Sequence, residues 1–155
     1  MTAFVGDIQF KCQYQAGLNF YDLQPLALAK SYYEIPTFDG TNRTIFIAFC
    51  NDLPESLWCD PQQPSMAVIV EDAAHGGNCS SLSGSDPTVD AAFSISNTTS
   101  NDGLTITYTG GDSGYGLVVD IPCNQSTYYT PLNISSTDNA NIYLQFESQF
   151  GCKYD

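Results

Sequence analysis

Basic side chains are nearly missing from this sequence: Lys11, Lys30, Arg43 and Lys153 oppose seventeen acidic groups, for a formal charge of -13. Nucleic acid and anionic membrane surfaces are therefore not expected partners, because both are bound through cations that displace counterions. Histidine occurs once, as His75, and no C-x-x-C is present, so the ligand spacing of structural zinc sites is missing and no metal is expected. The acidic stretches SDPTVD (85–90) and TSNDG (99–103) supply hard oxygen ligands but lack the D-x-D-x-D-G spacing of a calcium loop. No run of about 18 apolar residues spans a membrane. No charged-then-apolar leader opens the chain, so it is expected to be the mature or excised ectodomain of a longer parent, making no membrane contact itself.

Helical periodicity is equally scarce. LQPLALAKSYY (23–33) is the one stretch able to make a turn or two, and Pro25 restricts it to a helix start. What fills the chain instead is short segments rich in β-branched and aromatic residues: TIFIAFC (44–50), MAVIVE (66–71), AAFSIS (91–96), GLTITYT (103–109), YGLVVDI (115–121) and NIYLQFES (141–148). Gly, Asn, Asp, Ser and Pro separate them, which is turn chemistry. In LTITYT the threonines alternate with Leu104, Ile106 and Tyr108, so one face is expected to be buried and the other wet. MAVIVE does not alternate, which predicts a strand covered on both faces. CSSLSGSDPTVD (79–90) reads as a loop. With 155 residues and 43% hydrophobic content, residues 1–155 are expected to form a single all-β domain. The architecture expected is a flattened β-barrel or sandwich of antiparallel strands, with at most one short helix near the N-terminus.

Six cysteines, at 12, 50, 59, 79, 123 and 152, point to disulfides formed in an oxidising compartment. Six cysteines allow fifteen pairings, and spacing alone does not choose among them. Five N-x-[ST] sequons, at Asn42, Asn78, Asn97, Asn124 and Asn133, agree with that compartment. The expected location is the secretory or endolysosomal lumen or the extracellular surface.

Two constellations that could carry catalysis fail on physical grounds. AAHGG (73–77) and GGDSGYG (110–116) are similar to segments of trypsin-like serine proteases, with Asp86, Asp90 and Asp102 between them. That triad is drawn from two β-barrels, and the stretch from His75 to Ser113 is too short to complete one and begin another. Neighbouring acids such as Glu71 and Asp72 point to opposite faces of a strand and would not share a site. For Asp52 with Glu55, a second example of paired acids, the acidic excess of the chain is explanation enough. No enzymatic activity and no cofactor are expected.

Five segments, in order, resemble the mannose 6-phosphate receptor homology domain, a flattened β-barrel used as a lumenal lectin module. FYDLQPL (20–26) and TIFIAFC (44–50) resemble its opening Asp-Leu-x-x-Leu segment and a strand ending in cysteine. LTITYTGGD (104–112) followed by YGLVVDIPC (115–123) resembles its Tyr-x-x-Gly-Asp hairpin, and CKY (152–154) its closing Cys-x-Tyr. The family holds a mannose ring with a Gln, an Arg, a Glu and a Tyr. The resemblance places Glu147 and Tyr154 at the last two, and hydroxyl and carboxylate acceptors suit sugar hydroxyls. The Arg expected on YGLVVDI is absent, Arg43 belongs to a different strand edge, and Gln62 and Gln63 lie in a proline-flanked turn. Phosphomannose binding is therefore not expected, since Lys153 lacks the planar fork of Arg and the net charge repels a phosphate. Gly114 stands where a further cysteine would follow the Gly-Asp turn. The resemblance implies sequential pairing: Cys12 with Cys50, Cys59 with Cys79, and Cys123 with Cys152.

The chain resembles the degenerate, autophagy-receptor-like branch of that family more than the true phosphomannose receptors. The resemblance implies a module that binds a glycan or glycoprotein cargo through Glu147 and Tyr154. The alternative is a self-associating glycoprotein subunit of a cell-surface coat or filament, with edge strands and abundant Tyr and Phe as contact material.

Overall fold

The computed structural model describes residues 8–16, 19–36, 43–71, 78–95, 103–112, 115–127, 133–138, 141–145 and 147–153. Among these residues three sheets surround a main apolar core. The first is a meander of β1 (Ile8–Phe10), β2 (Gln13–Ala16) and β3 (Asn19–Asp22). A six-residue helix, α1 (Gln24–Ala29), leads to the second sheet: β4 (Tyr33–Pro36), β5 (Arg43–Ile47), β6 (Ala67–Glu71) and β7 (Cys79–Ser81), paired in sequence order. The third contains β8 (Ala91–Ile95), β9 (Gly103–Tyr108), β10 (Gly116–Pro122), β11 (Asn133–Asp138) and β12 (Asn141–Gln145), in the spatial order β11-β12-β10-β9-β8. The fold is all-β with one short helix near the N-terminus, as expected, and Pro25 sits in the first turn of α1, where its missing N–H costs nothing.

Burial follows the side-chain alternation. In β9 Leu104, Ile106 and Tyr108 are buried while Thr105 and Thr107 stay half-exposed. Leu117, Val119 and Ile121 of β10 and Ile142 and Leu144 of β12 continue the same inner face. Burial drives the Tyr108 hydroxyl well above the usual phenol range, because the ionised form would lose its hydration. β6 is covered on both faces, as its unbroken apolar run predicts. Ala67 and Ile69 join the main core, and Val68 joins a second cluster with Ala48 and Leu53. Leu57, Trp58 and Cys59 close over that second cluster, with the indole N–H donating to the Leu53 carbonyl at 2.8 Å.

Three features depart from these expectations. β10 and β12 run parallel, Leu117 opposite Ile142 and Val119 opposite Leu144, so the strands are not all antiparallel. The cause is topological: β11 pairs antiparallel with β12, and this hairpin returns to lie beside β10 with β12 innermost. Residues 79–81, expected as part of a loop, form β7, because their backbone groups find partners on β6. β1 to β4 and the polar β11 were not anticipated, since their apolar alternation is short or interrupted.

Side chains carry the joints between sheets. Gln9 accepts the Phe93 N–H at 2.9 Å and donates to the carbonyls of Ala91 and Pro87, so its carboxamide stands in for a strand along β8. That occupies backbone groups at an edge otherwise open to another chain. Disulfides join Cys12 to Cys50, Cys59 to Cys79 and Cys123 to Cys152, the sequential pattern that the resemblance implied. The Gly-Asp turn docks on the segment that follows β7: Gly84 donates its N–H to the Thr109 carbonyl at 2.8 Å, and Ser83 bridges Gly110. Gly110 has φ 83°, a left-handed conformation that glycine adopts without a Cβ clash, and a Cβ on Gly111 would collide with the Ser81 carbonyl.

Candidate functional site

β10 and β12 end side by side, and the segments beyond them build the rim that carries Glu147. Cys123 forms a parallel bridge with Ser148; Asn124 donates its N–H to the Ser148 carbonyl at 3.1 Å, and Ser148 donates to Pro122 at 3.1 Å. Ser148 is fully buried, and its hydroxyl accepts the Phe150 N–H at 3.1 Å, capping a single 3-10 turn, Gln149–Gly151. That turn delivers Cys152 to Cys123 with their Cα atoms 4.5 Å apart. A rigid frame of backbone bonds and one disulfide therefore fixes the rim from which the exposed Glu147 projects.

Glu147 does not stand alone there. Its Oε2 accepts the Asn124 side-chain N–H at 2.7 Å. The Asn124 Oδ1 in turn accepts the Ser126 N–H at 3.0 Å and the Ser126 hydroxyl at 2.7 Å, an Asx turn that locks the carboxamide. Lys153 follows Cys152 at the exposed edge of the same rim. Tyr154, the other expected sugar contact, lies outside the described residues.

The remaining expected positions are dispersed. β10 presents Val118 and Asp120 on the outer face of its sheet, and Asp120 accepts the Thr105 hydroxyl at 3.0 Å. An acid thus stands on the strand where the resemblance called for a base. Arg43 opens β5 opposite Glu71, in another sheet. Gln62 and Gln63 are exposed in a turn held by Asp60, whose carboxylate accepts the Gln62 N–H at 2.9 Å. Of the five sequons, Asn78 and Asn124 are described with their side chains, Asn133 belongs to β11, and Asn42 and Asn97 lie outside the described residues.

The catalytic decoys gain no geometry. His75, Asp72, Asp102 and Ser113 lie outside the described residues. Asp86 accepts the Thr88 N–H at 2.9 Å and the Thr88 hydroxyl at 2.8 Å, bonds that hold its carboxyl below the usual range. Asp90 accepts the Asp86 N–H at 3.1 Å, so the acids of the 85–90 segment shape its turn. Desolvation raises the Asp52 carboxyl, opposed by the charge of Lys11. Among the described residues no three His, Cys, Asp or Glu side chains converge as metal ligands.

Among the described residues, clefts lie away from the Glu147 rim, two of them larger than the one formed by the 81–85 segment and the Gly-Asp turn. One, of about 390 Å³, opens at the far end of β10, where Thr107, Asp112, Tyr115, Val118 and Tyr143 line it. The other, of about 410 Å³, flanks the Cys12–Cys50 disulfide and is lined by Lys11 and the exposed Leu28 of α1. Sequence reasoning missed the first cleft, whose outer wall joins β9, β10 and β12 through the row Thr107, Val118, Tyr143. The alternation of these strands carries that signal, but the parallel register that aligns Tyr143 with Val118 does not follow from it.

No family model matches the chain, and no curated protein matches it. Among solved structures it is similar to domain 11 of the echidna mannose 6-phosphate/IGF2R receptor. The TM-score is 0.65 at 16% identity, and the likeness covers 96% of this chain and 99% of that one. At this identity the likeness is one of fold, and it extends from end to end.

Proposed function

We propose that this chain is a recognition module of lectin-like fold, working in the secretory or endolysosomal lumen or outside the cell, that binds a glycan or glycoprotein cargo. The observation that carries the reading is the end-to-end likeness to a domain of a receptor, 96% of one chain on 99% of the other. Three disulfides fit an oxidising compartment. Fold alone does not specify a ligand, so the site argument rests on the rim. Glu147 there offers a carboxylate on a frame fixed by Cys123–Cys152, and Tyr154 follows two residues after Cys152.

Phosphomannose selection is not part of the proposal. β10 carries Asp120 and no base, and a chain of net charge -13 repels a phosphate monoester. The ligand class favoured is a neutral glycan. A glycan array probed with the Ser126→Ala chain, which lacks the sequon at this rim, tests the reading: retention on neutral mannose-type glycans, not competed by mannose 6-phosphate, is the expected result. Silence across all neutral glycans would overturn it.

A further inference from the structure

The sequons differ in what surrounds them. In Asn78-Cys79-Ser80 the middle residue is tied into the Cys59–Cys79 disulfide, and Asn133 opens a paired strand. Asn124-Gln125-Ser126 instead occupies a turn, with Asn124 half-buried and Gln125 and Ser126 exposed. Both hydrogen bonds from Ser126 fall on Oδ1, so neither of them occupies Nδ2. Of its two N–H groups one is given to Glu147, and an amide nitrogen needs to lose only one hydrogen to be glycosylated.

We propose that Asn124 carries an N-linked glycan and that Glu147 anchors the root of that glycan. In the transfer, Nδ2 forms a bond to C1 of a sugar supplied as a glycosyl diphosphate. The C1–O bond to the diphosphate breaks, the diphosphate leaves with the electron pair, and the displaced Nδ2 proton passes to a base of the transferase. The second N–H stays on Nδ2 and donates to the Glu147 carboxylate, a charge-assisted bond of the stronger kind. The first sugar then lies over Glu147, and the chain's own glycan covers the carboxylate that the recognition reading assigns to a foreign one. Occupancy of Asn124 goes beyond that reading and bounds it: the modified chain is closed at this rim, and the unmodified chain is open.

The test is glycopeptide mapping of the chain secreted from a eukaryotic host. Peptide N-glycosidase should convert Asn124 to aspartate in the released peptide, and Asn124→Gln should lose the mass of one glycan. An unmodified Asn124 peptide overturns the site. Native-state release by the same enzyme tests the anchor. Release at Asn124 should be several-fold faster in Glu147→Ala than in the parent and near the parent rate in Glu147→Gln, which keeps an acceptor. Equal rates in all three, each confirmed to hold the Cys123–Cys152 disulfide, overturn the anchor. Silence of the Ser126→Ala chain on the glycan array sinks the recognition reading and leaves this one standing, so the two fail separately.

Discussion

Asp112 grips Ser81 at both of its backbone groups: the Asp112 N–H donates to the Ser81 carbonyl at 2.8 Å, and the Asp112 Oδ2 accepts the Ser81 N–H at 2.9 Å. The aspartate of the Gly-Asp turn therefore extends the ladder of β7 and ties the second sheet to the third. The motif that resembles a lectin hairpin has a structural task in this chain, and Gly111, where a Cβ would meet the Ser81 carbonyl, lets the backbone come this close.

Replacing that carboxylate should loosen the joint. Asp112→Ala strands the Ser81 N–H at a largely buried residue, and we expect a loss of about 1–2 kcal/mol. Asp112→Asn, whose Oδ1 still accepts, should recover part of it. Urea unfolding of the three chains measures both steps, and equal stability of the alanine and parent chains would refute the joint.

The Cys123–Cys152 staple should matter more. Its partners are 29 residues apart in sequence, and closing a loop of that size is worth about 3–4 kcal/mol on the chain-entropy account. The double Cys123→Ala, Cys152→Ala chain should lose stability of that order and lose native-state exchange protection at the Asn124 and Ser148 amides first. Uniform loss across β9 and β10 would show that the staple is not local to the rim.

Core truncation sets the upper end of the scale. Ile106 is 1% exposed at the centre of the main cluster, so Ile106→Ala should cost about 2–5 kcal/mol. Thr107→Ala, on the outer face of the same strand, should cost under about 1 kcal/mol. A thermal melt comparing the two distinguishes the faces that alternation predicts.

Acid should weaken the 85–90 turn in a defined direction. Hydrogen bonds from Thr88 hold the Asp86 carboxyl below its ordinary value in the folded chain. Its contribution is therefore present above the ordinary carboxylate range and is lost as pH falls through the depressed value. Thr88→Val removes the hydroxyl donor and should move the Asp86 titration, followed by NMR of the side-chain carboxyl, upward toward that range. An unmoved midpoint would show that the Thr88 hydroxyl does not set it.

Much of the fold was legible because burial and alternation are local properties. TIFIAFC, MAVIVE, AAFSIS, GLTITYT, YGLVVDI and NIYLQFES each contain most of one observed strand, and the faces of β9 and β6 follow from their patterns. β11 was not legible: it has one apolar residue, Ile134, and is a strand because β12 offers its backbone partners. The site was less legible than the fold. Glu147 could be singled out by resemblance, but its pairing with Asn124, 23 residues away, could not.

Composition and residue spacing were enough to specify a helix-poor, acidic, disulfide-bearing chain, because they act residue by residue and need no partner. Three-dimensional packing was needed to set β12 parallel to β10, to bring Gln9 onto the β8 edge from 84 residues before Phe93, and to hand Glu147 to a sequon asparagine. Each of these is a hydrogen bond between distant segments. Polar groups carry no periodic signal of whom they will meet; that choice falls to the packed core, which fixes the neighbours first.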